Sequence, residues 1–526
     1  MSAAPSHAHS HAANPAPHPA YAELCSLLKA AATLGSIGSL LSWDQETYMP
    51  PAAASHRADQ SAMISAMVHQ RTTSPRVGEL IAACEADKPL LADPIVAANI
   101  REMRRDYNRA TKLPTDLVAE LARVGSLAQE VWKDARAKSD FAAFAPMLSQ
   151  MIQLTRRKAQ CYADGAAAGN GKGATELYDF LLDEFEPAVS AERIDAIFRP
   201  LRDRLAALIS QVARSPYKPD RTLLEIDVPP ANQEAFARRV LAAMRFDMNA
   251  GRLDTTAHPF CSGMAPGDTR LTFRYAKDGF LEPLYGVMHE AGHGLYEQGL
   301  PKARHFGTPL AEAISLGFHE SQSRMWENFV GRSPQFWQWA IAPARETLGP
   351  VIQSFSADDL YRAANFVTPS FIRVEADEAT YNLHVMLRFQ MERAIFSGSL
   401  AVRDIPGAWN ETFEKLLGLK IPDDRRGCLQ DVHWSFGLFG YFPTYTLGNL
   451  YAAQLWETIN TQIPTLPDQM ARGEFGELKS WLNTNIHSHG RRFRSEELCQ
   501  KLTGAPLSAD PLMRHLESRL RPIYKL

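Results

Sequence analysis

His289, Glu290 and His293 stand in the run HEAGH, inside the segment LEPLYGVMHEAGHGLYEQG. Two imidazoles four residues apart share one face of a helix, with Cβ atoms about 6 Å apart, so both can converge on one ion. Glu290, one step round the same helix, is placed to hold a water against that ion and take its proton, the chemistry for which the H-E-x-x-H spacing recurs in zinc hydrolases. Zinc brings the pKa of a bound water down to about 7, so hydroxide becomes available at neutral pH. Leu284, Val287, Met288, Ala291 and Leu295 make the rest of this helix apolar. Two histidines and a glutamate in such a setting are costly to bury without partners.

A catalytic zinc usually takes three side chains and leaves one position open. A metzincin would supply a glycine and a further histidine in the same run, but Tyr296 and Gly299 occupy those places. The next strongly patterned segment, TPLAEAISLGFHESQSRMWENFVG, offers Glu312, Glu320 and Glu327. Glu320 lies amid Ile314, Leu316, Phe318 and Met325, where burying a carboxylate requires a cation. Glu312 suits the first turn of a helix and Glu327 a solvated face, so position favours Glu320 while leaving the other two open. A helical binding protein with a structural metal is the rival of another class; structural sites are usually richer in cysteine, and none lies in the HEAGH or HES segments.

These residues need elements to hold them. Proline at 283, near the first helical turn, and Gly299 bound the HEAGH helix. From Tyr21 to about Pro216 amphipathic helices recur, with Leu117, Val118, Leu121, Val124, Leu127 and Val131 at spacings of three and four, and a second stripe through Ile194, Ile197, Leu201, Leu205 and Leu208. The stretch from Phe246 to Gly279 is rich in turn residues around the alternating RLTFRY and predicts a short hairpin or small sheet. Helical patterning then resumes to the C-terminus. The fold class is mainly α, with a minor β element beside the active site, and no repeat period suggests a solenoid.

The chain has 526 residues, 45% hydrophobic and 22% charged, an ordinary globular mixture. Residues 1–20, rich in Ala, Pro, Ser and His, read as a disordered tail in which His7, His9 and His11 are solvated; 21–526 read as a single large domain. A net charge of −3 gives no global field for nucleic acid or anionic lipid. Six scattered cysteines read as thiols of a reducing compartment. No signal-peptide pattern and no uninterrupted apolar run of membrane-spanning length is evident, so a cytoplasmic protein without a membrane partner is expected.

The motifs taken in order resemble the carboxypeptidase Taq family of metallocarboxypeptidases. They are HPF at His258–Phe260, DxRxT at Asp268, Arg270 and Thr272, HEAGH, HES at His319–Ser321, IRxxAD at Ile372–Asp377, and GxxQDxHW from Gly427 to Trp434. WDQETYMP near the N-terminus and WLNTNIHSHGRRF near the C-terminus also read as family sequence. The resemblance implies a helical, cleft-bearing fold related to angiotensin-converting enzyme and the thimet-type oligopeptidases, commonly a homodimer, that releases single C-terminal residues from peptides.

It also implies Glu320 as the third ligand of a zinc ion, a site of the kind that Co2+ or Mn2+ can also occupy. It implies Arg373 as the grip on the substrate's terminal carboxylate, for which a planar guanidinium is suited; the plainer alternative is an ion pair with Glu375 or Asp377. His433 resembles the histidine that donates to the oxyanion, otherwise a hydrogen-bonded core residue. Tyr441 and Tyr445 lie where related oligopeptidases carry phenolic donors, and Tyr445 is favoured. His258 and Arg270 border the predicted hairpin, where an edge strand can pair with an extended substrate, or they stabilise the loop. The nearest functional rival is a zinc oligopeptidase or dipeptidyl carboxypeptidase with the same centre and a longer cleft.

Overall fold

The computed structural model describes residues 18–166, 176–256, 258–277 and 279–526. The tail of residues 1–17, with His7, His9 and His11, lies outside them, and the first helix begins at Pro19. Helices succeed one another up to Arg214 as the patterning predicts, and a further helix, Pro230–Ala243, follows beyond the predicted stretch. The helix Ala191–Arg214 starts where Ser190 accepts a hydrogen bond from the Arg193 N–H, satisfying one of its orphan donors. Its stripe of Ile194, Ile197, Leu201, Leu205 and Leu208 is buried throughout. In Thr115–Lys138 the buried face is narrower than the spacing suggests: Leu117, Val124, Ala128 and Ala135 point inward, while Val118 and Leu127 are exposed. Those two sit off a seam that repeats almost every seven residues, and helical rotation carries them toward solvent.

The predicted β element is a three-stranded sheet of β1 (Gly251–Thr255), β2 (Cys261–Ala265) and β3 (Asp268–Phe273) in the order β1-β3-β2. β2 and β3 form the hairpin, turning at Gly267 with φ of +77°, and β1 adds in parallel on the other side. Thr272 locks the entry to β2: its hydroxyl accepts from the Phe260 N–H at 2.8 Å and donates to the Phe260 carbonyl at 3.0 Å. The HPF and DxRxT motifs are therefore two halves of one fastening.

Against this sheet lies the HEAGH helix, Leu281–Gly299. A second helix, Leu316–Arg324, is capped by Ser315 and carries the HES motif; it runs directly into a π-helical stretch, Met325–Gly331. The long helix Pro443–Gln462 packs on its far side. Two glycines permit the close approach of all three. A Cβ on Gly292 would stand 2.6 Å from the Gln322 carbonyl oxygen, and one on Gly448 would stand 2.5 Å from Glu320 Cγ. Gly448→Ala is thus expected to displace Glu320, costing about 1–3 kcal/mol by overpacking, and to weaken metal binding; denaturant melts and metal titration of that variant check both.

One large hydrophobic cluster runs through the body and includes Val287, Met288, Phe318 and Leu450. A second, small one joins Leu24, Val77, Leu80, Ile81, Cys84, Ile100 and Met103 of the N-terminal helices. The first helix, Pro19–Thr47, is the segment that bears most on the expected lack of a membrane-spanning run. Averaged over 18 residues it reaches a mean hydropathy of 1.5 and is long and apolar enough to cross a membrane by length and composition, with 11% of that window buried. Its leucines and Ile37 carry the average, while Lys29 and the interspersed Ser, Thr and Gly interrupt the apolar run. Its C-terminal end is docked on the body: Trp43 lies under the Arg270 guanidinium at 4.3 Å, and the Tyr48 hydroxyl donates to Asp254 at 2.7 Å.

Candidate metal centre and active site

One nitrogen of His289, one of His293 and one carboxylate oxygen of Glu320 lie within 4.8 Å of one another. Glu320 Oε2 is 3.6 Å from His289 Nε2 and 3.4 Å from His293 Nε2, so three donors face a common point. The other nitrogen of each ring is already engaged. His289 Nδ1 meets Glu327 Oε2 at 2.9 Å, and His293 Nδ1 meets His319 Nδ1 at 2.5 Å. His319 passes the contact on through Nε2 to Glu297 at 2.8 Å, and Glu297 pairs with Lys302. Outer partners of this kind fix the orientation of metal-binding imidazoles. Two nitrogens and a carboxylate, aimed inward and held from behind, suit a zinc-type dication with a coordination position left over.

The charges are balanced to keep the oxygen donor ionised. Burial pushes the Glu320 carboxyl up, but the Arg324 guanidinium and His289 outweigh it and hold it well below the usual carboxylate range. Glu327 is likewise held down to about 2, against burial, by Arg324 and by its hydrogen bond to His289. Glu290 behaves oppositely: burial raises it to about 7, with His289 opposing. Neighbouring cations thus hold Glu320 and Glu327 ionised, whereas burial raises Glu290.

If the triad holds the ion, binding stabilises the native state by mass action, by about 4 kcal/mol at a thousandfold excess over the dissociation constant. Stripping with a chelator is expected to lower the melting temperature measured by calorimetry, and His293→Ala is expected to abolish that drop.

Beside this triad, Arg373 is 5% exposed. Its Nε donates to Asp431 at 3.1 Å and its Nη1 to the Tyr381 hydroxyl at 2.9 Å, while Nη2 lies 3.0 Å from Asp431. Neither Glu375, which is exposed, nor Asp377, which accepts from the Ala379 and Thr380 N–H groups, is its partner. The Arg373 guanidinium also stacks 4.8 Å from the Tyr445 ring centre. The Tyr445 hydroxyl is 3.4 Å from His433 Nε2, and the Tyr441 ring lies 5.3 Å from that of His433. Burial lowers the His433 pKa to about 4, with Asp431 opposing, so the ring is neutral at pH 7. His433 Nδ1 is buried without a hydrogen-bond partner among the described residues.

The structure thus brings together His289, Glu290, His293 and Glu320, and groups Arg373, His433, Tyr441 and Tyr445. His258 and Arg270 stand apart. His258 is exposed in the loop before β2, and its side chain makes none of the hydrogen bonds among the described residues. Arg270 is held in a two-point ion pair by Asp268 at 2.9 Å and covers Trp43. Glu312 precedes the glutamate helix instead of joining its first turn, and pairs with Arg491 at 2.9 Å.

Glu327, expected to be solvated, is 9% exposed and is the partner of His289. Glu297, Arg324 and Tyr381 also escaped the sequence reading, and His319 entered it only as the first residue of the HES motif. Glu297 stands four residues beyond His293 and Arg324 four beyond Glu320, so the i,i+4 rule that found the histidines could have found both.

A peptidase of the two-histidine, one-glutamate type is what this helix stack defines, and comparison gives its family. The profile of the carboxypeptidase Taq (M32) metallopeptidase family matches residues 23–520, and the chain belongs to that family. It is 43% identical over 510 residues to thermostable carboxypeptidase 1 of Thermus thermophilus, covering 97% of this chain and 99% of that protein. It is 36% identical over 506 residues to carboxypeptidase 1 of Bacillus subtilis, covering 96% and 98%. The crystal structure of the M32 carboxypeptidase from Deinococcus radiodurans R1 superposes with a TM-score of 0.92 at 35% identity, over 97% of this chain and all of that one. The protein is an enzyme, a metallocarboxypeptidase.

Proposed function

We infer that the ion is zinc, held by His289, His293 and Glu320, that Glu290 is the general base, and that Arg373 selects the free C-terminus. The observation that carries this reading is the donor count at Arg373. A guanidinium has five N–H groups; Asp431 and Tyr381 engage three, leaving one on each terminal nitrogen. Two parallel donors on a buried, permanently charged group match a carboxylate in bidentate fashion.

A dication at the triad would polarise the scissile carbonyl and acidify a water. Glu290 takes the proton of the attacking water as its oxygen bonds to the carbonyl carbon. The C–N bond then breaks, and Glu290 delivers the proton to the departing amine nitrogen. His433, neutral and half-buried, and the Tyr445 hydroxyl beside it donate to the oxyanion that develops, with Tyr441 lining the same wall. Arg373 sets the register, so that a single residue separates the terminal carboxylate from the scissile bond. β2, one of the two edge strands of the sheet, is suited to pair with the substrate's extended backbone, with His258 at its entrance and Arg270 bracing it.

The reading extends to setting. All six cysteines are free, which fits a reducing cytoplasm, and the substrates are peptides with an unblocked C-terminus. The homodimeric state common in the family is part of the same proposal.

A free-acid peptide and its amidated twin, timed by mass spectrometry with and without chelator, test the assignment. Stepwise loss of single residues from the acid alone is expected, at a rate at least ~100-fold above the amide, the scale of a lost charged pair. Equal internal cutting of both peptides would instead identify an oligopeptidase and remove Arg373 from its role.

A further inference from the structure

Arg324 stands one helical turn beyond Glu320, at the junction where the helix becomes π-helical. Its Nε donates to Glu320 Oε1 at 2.6 Å and its Nη1 to Glu327 Oε2 at 3.1 Å. The latter is the oxygen that also meets His289 Nδ1. The flat face of Arg324 lies 4.4 Å from the centre of the Tyr381 ring, whose hydroxyl accepts from Arg373 Nη1. One side chain therefore touches a metal-ligand carboxylate, the carboxylate behind a ligand histidine, and the phenol that steadies the carboxylate-reading arginine.

This placement carries an electrostatic cost, since a cation next to the site of a dication repels it. Simple neutralisation does not call for an arginine at that point. What the arginine adds is geometry. It occupies Oε1 of Glu320, while Oε2, which also accepts from the Ser323 hydroxyl at 3.2 Å, is the oxygen toward His289 and His293. Its divergent N–H groups span two carboxylates while its face stacks on an aromatic ring, a combination a lysine ammonium cannot reproduce.

We propose that Arg324 is a positioning residue that restricts Glu320 to one-oxygen ligation and, through Tyr381, holds Arg373 at a fixed offset from the metal. The proposal rests on the residue roles inferred above. It makes metal affinity and C-terminal register two outputs of one side chain.

Arg324→Lys in the full-length enzyme retains the charge and removes the fork. Zinc affinity, measured by competition with a chromophoric chelator and independent of turnover, is expected to fall about 10–100-fold, the usual scale for loss of an outer-sphere partner. The kcat/KM preference for free-acid over amidated peptide is expected to fall about tenfold or more, the lower end of the same scale.

Tyr381→Phe removes only the hydroxyl. It is expected to keep zinc affinity within about twofold and to lose the same preference. Wild-type or tighter zinc binding by Arg324→Lys overturns the proposal, as does an unchanged preference in Tyr381→Phe. The second variant decides the question if the first does not fold. Absence of any acid-over-amide preference in the wild type would count against the role of Arg373, whereas the zinc titration of Arg324→Lys would still judge Arg324.

Discussion

Glu290→Gln is expected to leave a folded, metal-binding protein that hydrolyses peptides about a thousandfold more slowly, within the 10²–10⁴ range typical of general acid–base catalysis. The amide is nearly isosteric with the carboxylate, so the neighbouring apolar packing of Val287, Met288 and Ala291 is undisturbed. It cannot accept and return a proton. Glu290 is not among the three converging donors, so its replacement spares the ligand set. Metal content by mass spectrometry together with single-turnover rates checks the two halves separately. Retained turnover would assign the base to another group, and lost metal would make the residue a ligand.

Arg373→Gln carries the second large expectation: kcat/KM for the free-acid peptide falls about 10²–10³-fold and converges on the value for the amide. Truncating one partner of a buried charge pair costs about 2–5 kcal/mol, and a factor of ten in rate corresponds to about 1.4 kcal/mol. Part of that loss falls on stability. Asp431 keeps its pair with Arg388 but loses both contacts to Arg373, so a buried carboxylate becomes half-compensated. The signature of a substrate role is the ratio of acid to amide, which general destabilisation lowers for both peptides alike. Measuring both on one preparation separates the two effects.

Much of this architecture was legible in the sequence because it follows from local rules. The four-residue spacing of His289 and His293, the proline near the start of their helix and the glycine at its end are consequences of helical geometry, and the structure reproduces them. Apolar neighbours in sequence favoured Glu320 over Glu312 and Glu327, and of Ile314, Leu316, Phe318 and Met325 all but Leu316 are buried.

What resisted reading depended on position in space. Glu327 was read as solvated, yet it stands seven residues beyond Glu320 and so on the same face of the helix, where it is buried and meets His289. Arg373 finds Asp431, 58 residues away, in preference to the acids beside it. The sheet's third strand joins in parallel, a pairing that no hairpin signal announces. His433 and Tyr445 belong to a half-turn and a helix whose juxtaposition only tertiary packing determines.

The small apolar cluster of the N-terminal helices has one further consequence, for cooperativity. It shares no residue with the cluster around the metal ligands. The ties between the two parts include Arg491 with Asp106 and Glu102, Arg494 with Glu102, and the cation-π stack of Arg270 on Trp43. Glu102 is 1% exposed and Arg491 11%, so these pairs are screened by salt far less than surface ones and hold the N-terminal helices to the body. The N-terminal helices thus have an apolar nucleus of their own, none of whose residues belongs to the His289, His293 and Glu320 triad. Local opening of these helices and loss of the metal are then distinct events, which hydrogen exchange with and without chelator reads separately.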